Sequence, residues 1–299
     1  MKWIEWQSGS ERVFLSAFGA GCVPMSTVLA HIYSDEGFVV AADGINVLRN
    51  GAELEITSRD TRKIFDWPGV NRALACTLFG RVTLYDDAGE EPVFNFISAS
   101  NDASRAISSM PIRDTEEFVG KLAPLVAEKL VALKQDGTLS RYPSPEPKRI
   151  GETGSTIVRL FLDGYFDGEP FRTGVRFYND NQRIGWGSIS EHNLGHAGWA
   201  IYGSPVIAHL LFDTEDERFK RYRTDASKLA VELCKKGGRV PTLQHAIEIA
   251  TNYIAACSDP IAIESDPNCA YYGGRIHAAI ITPKDGFQWV PGFEPTLAA

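Results

Sequence analysis

Two adjacent hydroxyls, a carboxylate and a lysine are the residues whose types and spacing suggest chemistry in this chain. Ser26 and Thr27 open a short apolar run, Val28-Leu29-Ala30. Asp43 ends a second run, Phe38-Val39-Val40-Ala41-Ala42, and Lys63 precedes Ile64-Phe65. A serine or threonine hydroxyl is a weak nucleophile until its proton is removed, and an acid and a lysine beside it are one known route to activating it. The first two runs flank a polar break containing Gly37, which reads as a β-hairpin. Lys63 falls on what reads as the next strand, so three short strands in order would have to bring the four groups together.

Composition leaves room for such a site and excludes several others. The chain has 299 residues, 44% of them hydrophobic, enough for a large core. No apolar run reaches the ~18–20 residues of a membrane helix. Lys2, Glu5, Glu11 and Arg12 interrupt the first twenty residues, so a secretory signal is not expected. The five cysteines are odd in number and scattered, without a Cys-x-x-Cys pair. Neither a zinc knuckle nor a disulfide framework is expected, and a cytoplasmic location is. A net charge of −8 argues against a nucleic-acid partner.

Further along, Asn46 to Asp60 reads as a long connection with a turn signal at Asn50-Gly51. Lys63–Asp66 and Ala73–Leu78 read as strands, the second running on to Gly80. Residues 81–113 carry no clear pattern. Asp114 opens a helix with a capping-box-like start, and Pro124 is expected to kink or restart it. Pro143, Pro145 and Pro147 mark an extended insertion. Thr156–Leu162 and Gly174–Tyr178 read as a second set of strands. Helices are expected after Pro205, over Asp225–Leu233 and over Thr242–Cys257. A strand over Tyr272–Thr282 then turns into Phe287–Val290.

These stretches together resemble the proteasome-type N-terminal-nucleophile (Ntn) hydrolases, in the manner of a bacterial-type proteasome β-subunit. Ser26-Thr27-Val28-Leu29-Ala30 is similar to the opening strand of that family, Gly37 to Asp43 to its second strand, and Arg62-Lys63-Ile64-Phe65 to its third. Gly203-Ser204-Pro205 resembles a helix start of the family, and Tyr272-Gly273-Gly274-Arg275-Ile276-His277-Ala278-Ala279-Ile280 its closing hairpin. The resemblance implies a four-layer αββα sandwich over residues 26–290. It implies a propeptide-like extension over 1–25, with a C-terminal tail over 291–299. It implies Ser26 as the nucleophile, with Asp43 and Lys63 beside it, and backbone amides near Gly80 holding the oxyanion. A register one residue later makes Thr27 the nucleophile. Matching strand faces favours Ser26 with Glu36 as an extra hairpin residue, because a one-residue slip turns every side chain to the other face.

The activity so implied is hydrolysis of a peptide or other amide by an N-terminal hydroxyl freed by self-processing, without a cofactor or metal. A homo-oligomer is implied as well, with a ring as the form that family members build. The alternative is a non-catalytic, unprocessed relative used for binding or assembly. Met25 stands where the family usually carries glycine, Tyr202 and Tyr272 where it carries serines, and Cys269 where it carries an aspartate. His192 and His196 have the spacing of metal ligands on a helix, but the glycines around them read as loop. Cys22 lies four residues before the opening strand and reads as a small buried apolar group.

Overall fold

The computed structural model describes residues 5–8, 11–14, 27–50, 53–69, 72–80, 83–85, 92–108, 110–112, 114–141, 154–180, 183–189, 199–214, 216–235 and 239–296. The fold is α+β with antiparallel sheets. The chain forms two compact units, residues 1–64 with 192–299, and residues 65–191.

The first unit is built on a five-stranded sheet in the order Trp199–Tyr202, Leu29–Tyr33, Phe38–Ala42, His277–Thr282, Gly286–Trp289, antiparallel throughout. The expected hairpin is its centre. Leu29 pairs with Ala42 and Tyr33 with Phe38, and Ser34 to Gly37 make the turn, where the Ser34 hydroxyl accepts from the Gly37 amide. Alternation then sorts the side chains. Val28, Ala30, Ile32, Val39, Ala41 and Ala278 face the helices. The Leu243–Cys257 helix lies over them, presenting Ala246, Ile249, Ala250, Tyr253 and Ile254. Thr242 caps its first turn by accepting from the His245 amide. The other face of the sheet, including Leu29, Phe38, Val40, Ala42, Ala279 and Ile281, is buried too.

Two local expectations change here. The stretch from Asn46 is a hairpin, with strands Asn46–Asn50 and Glu53–Ser58; Gly51 of the turn signal lies outside the described residues. The last long strand begins at His277 rather than Tyr272. Gly273 and Gly274 have φ of 130° and 75°, a left-handed path that a strand does not take. They form a crossing point instead.

The second unit has a sheet in the order Ile184–Ile189, Glu169–Asn179, Ser155–Phe166, Arg72–Gly80, Ile64–Gly69. Its long central hairpin turns at Asp167-Gly168, both with positive φ, as a two-residue hairpin loop requires. Leu74, Cys76, Leu78, Val158, Leu160, Leu162, Val175 and Phe177 share a core with the helices Phe96–Ile107 and Thr115–Gln135. Pro124 does not restart the second of these, which is one helix of 21 residues. The first is absent from the sequence reading. Its polar sequence hides a face of Phe96, Ala99, Ser100, Ala103 and Ile107, and its start is marked by Asn95 accepting from the Ser98 amide. No helix among the described residues is long and apolar enough to cross a membrane.

Candidate functional site

Of the five residues singled out by sequence, Asp43 and Lys63 come into direct contact. Asp43 is the residue after the Phe38–Ala42 strand, and its amide donates to the Val28 carbonyl at 3.2 Å. At the next rung the side chain replaces the backbone: the Val28 amide donates to Asp43 Oδ1 at 2.9 Å. Lys63 Nζ donates to the same oxygen at 2.6 Å, and the Gly273 amide donates to Oδ2 at 3.2 Å. One carboxylate thereby joins the opening strand, the third strand and the closing segment.

The glycines make this junction sterically feasible. The Gly273 carbonyl accepts from the amides of Gly44 and Ile45, and the Arg59 carbonyl accepts from the Arg275 amide. A Cβ on Gly274 would lie 2.3 Å from the Arg59 oxygen, and one on Gly44 would lie 2.6 Å from the Arg275 oxygen. Only a residue without a side chain lets the chain segments approach this closely.

Asp43 is fully buried and Lys63 almost so. Burial pushes the Asp43 carboxyl up from its ordinary value, opposed by the Lys63 ammonium and by the two amides. Burial pushes Lys63 down, opposed by Asp43. Removing charge from water penalises both ionised forms, so mutual attraction and the two amides on Asp43 work against burial to hold the pair charged. A lysine in that state is a compact positive charge with little solvent around it. It favours the neutral form of any amine brought close.

Thr27 is buried and sits directly before Val28, whose amide is bound to Asp43. Ser26 lies outside the described residues, as do Met25, Cys22, His192 and His196. Gly80 ends the Arg72–Gly80 strand of the second unit, opposite Val158.

Three further groups of the first unit escaped the sequence reading or take a different role from the one read. Ser204 Oγ donates to Asp266 Oδ2 at 2.6 Å and accepts from the Ile207 amide, capping the Pro205–Phe212 helix. Ser204-Pro205 and Asp266-Pro267 are both cap-then-proline pairs, the local signal that could have found them. Cys269, Cys257 and Tyr272 are buried nearby. Burial, then Asp266, pushes the Cys269 thiol up to about 12. Burial, then Cys257 and Asp266, raises the Tyr272 phenol well above its ordinary range. Tyr202 is half-buried, its ring edge-on to His31 at 5.7 Å. The third group is His277, whose Nε2 lies 2.6 Å from Asp60 Oδ1. No local pattern announces a contact between residues so far apart in sequence.

The described residues hold no group of three histidine, cysteine or acidic side chains arranged to bind a metal. In comparisons with known proteins, no family model and no curated protein matches the chain.

Proposed function

We propose that this chain is an amide-bond hydrolase of peptidase type, working through an N-terminal hydroxyl that self-processing frees. The observation that carries the reading is the buried Asp43–Lys63 pair, bonded through Asp43 to the amide of Val28, one residue from Thr27. An α-amine released at residue 26 or 27 would titrate near ~8 and serve as general base for its own hydroxyl. The Lys63 ammonium would favour the neutral amine, and Asp43 would fix the lysine. Ser26 is the preferred nucleophile and Thr27 the alternative. The reading includes a four-layer αββα sandwich, supported by sheets that are buried on both faces in each unit. It also includes a peptide or amide substrate, a homo-oligomeric assembly and a cytoplasmic setting.

One observation favours a second reading, a non-catalytic, unprocessed protein with a binding or assembly role. Tyr272 and Cys269 are both buried where the resemblance places a serine and an aspartate, and a thiol held neutral supplies no carboxylate there. In that case Asp43 is a structural junction and nothing more.

Intact-protein mass spectrometry separates the two. A mass for residues 26–299 supports hydrolysis with Ser26, and one for 27–299 moves the nucleophile to Thr27. A full-length mass that persists through long incubation, with amidase signal unchanged by Ser26→Ala and Thr27→Ala, leaves the binding reading.

A further inference from the structure

We propose that Asp60 and His277 form a positioning pair that keeps Lys63 seated on Asp43. The inference rests on the proposed function only in taking Lys63 as part of the reactive centre.

Lys63 ends a stretch, residues 59–63, that belongs to no strand. A lysine side chain has four rotatable carbons, so its ammonium stays in one place only if its backbone does. Two strands provide the frame. His277 pairs with Ala42, the residue before Asp43, so both groups project from neighbouring strands at the same level of the sheet. They grip the 59–63 stretch three residues apart, Asp43 at Lys63 and His277 at Asp60. Between these points the Thr61 amide donates to the Gly44 carbonyl, and just before them the Arg59 carbonyl accepts from the Arg275 amide.

His277 is fully buried, and its Nδ1 has no hydrogen-bond partner among the described residues. An orphaned buried nitrogen is costly, so what keeps an imidazole here is the bond made through Nε2. Arg275 and Lys63 both disfavour a charged ring, and the Arg62 guanidinium lies 5.4 Å over Trp289, whose ring is edge-on to His277. Asp60 is the carboxylate that offsets them. Its second oxygen accepts from the Thr296 amide, while the carbonyls of Phe293 and Glu294 accept from Ala278 and from the Arg275 side chain. The segment 293–296 is thus fastened on both sides of His277 and ends on Asp60.

The test reads Lys63 itself, independently of activity. The full chain is treated with an acetylating reagent, and the rate at Lys63 is followed by mass spectrometry beside that of the exposed Lys220. His277→Leu is expected to raise the Lys63 rate about tenfold, as a buried hydrogen bond to a charged group is lost. His277→Gln, which keeps an N–H donor near the Nε2 position, is expected to stay within about twofold of the parent. Asp60→Ala, at a partly exposed position, removes the same bond without changing the buried volume at residue 277, and it is expected to match His277→Leu even if the leucine variant fails to fold. Folded variants with Lys63 as protected as in the parent overturn the proposal, and so does equal deprotection by leucine and glutamine. Loss of the hydrolase reading by intact mass leaves this result standing, because protection is measured without turnover.

Discussion

Each unit buries an acid–base pair held at 2.6 Å, Asp43–Lys63 in the first and Asp163–Arg172 in the second, and these two are built differently. In the second unit Asp163 and Arg172 are direct cross-strand partners on one hairpin, nine residues apart. Their contact follows from the register of adjacent strands, and opposite charges there stabilise the sheet. In the first unit Asp43 and Lys63 are 20 residues apart, one at a strand end and one beyond an irregular stretch, with the carboxylate also holding two backbone amides. The bases differ as well. Arginine stays charged at any working pH, whereas a buried lysine can be shifted. A pair that only ties a sheet together needs neither the junction nor the titratable base. That difference is why the Asp43 pair reads as chemistry and the Asp163 pair as architecture.

The sharpest way to break the comparison is to remove each acid. Asp43→Ala strands a buried ammonium and two amides, and should lower the unfolding free energy by about 3–5 kcal/mol in urea titrations. It should also abolish any cleavage before residue 26 or 27. Asp163→Ala should destabilise as well but leave cleavage intact. If both variants cleave normally, the distinction between the pairs fails.

Exchanging the bases gives a smaller effect with a clearer sign. Lys63→Arg puts a planar fork into a space shaped for a point charge, and should cost about 1–3 kcal/mol from overpacking. The arginine keeps the charge but moves it from the place Lys63 holds, and a misplacement of about 1 Å at a reactive centre should lower the amidase signal by roughly 10²-fold. Arg172→Lys should cost about 1–2 kcal/mol through weaker hydrogen bonding, with no change in amidase signal. Equal loss of signal in both exchanges would mean that stability alone is being read.

The sequence made one half of this legible and hid the other. The hairpin from Leu29 to Ala42 and the helix from Leu243 follow from alternation and capping, whereas the placing of Lys63 beside Asp43 is what the family resemblance implies. The Phe96–Ile107 helix was not legible, because its buried face is made of alanine and serine, which carry little hydrophobic signal. The strand expected from Tyr272 rests on the resemblance to a closing hairpin and not on its residues, which include two glycines and an arginine; Gly273 is bound to Asp43 and its neighbour meets Arg59. The contacts Ser204–Asp266 and Asp60–His277 span 62 and 217 residues. Contacts of that range are set by tertiary packing, and no local window contains them.

The smallest expected effect is also the one that separates the units by pH. Residues 65–191 contain no histidine, so no unperturbed side chain of the second unit changes charge between pH 5 and 7. His277 in the first unit is lowered from 6.5, chiefly by burial, with Asp60 opposing and Arg275 and Lys63 assisting. The unfolded chain therefore binds a proton on His277 before the folded protein does. Stability from this group is complete above the ordinary histidine value and is lost as pH falls from there through the lowered value. One proton limits the slope to about 1.4 kcal/mol per pH unit. The Asp60 carboxyl, lowered through its bonds to Thr296 and His277 against some burial, adds a loss only at more acid pH, below its ordinary 3.8. Urea midpoints measured between pH 7.5 and 5 should fall for the parent, and the fall should shrink in His277→Gln, which keeps a donor to Asp60 but cannot titrate. The other histidines of the first unit remain in both proteins, so the difference between the two curves isolates His277. Identical curves would show that the Asp60–His277 pair does not sense pH, and that the units differ only in the bases of their buried pairs.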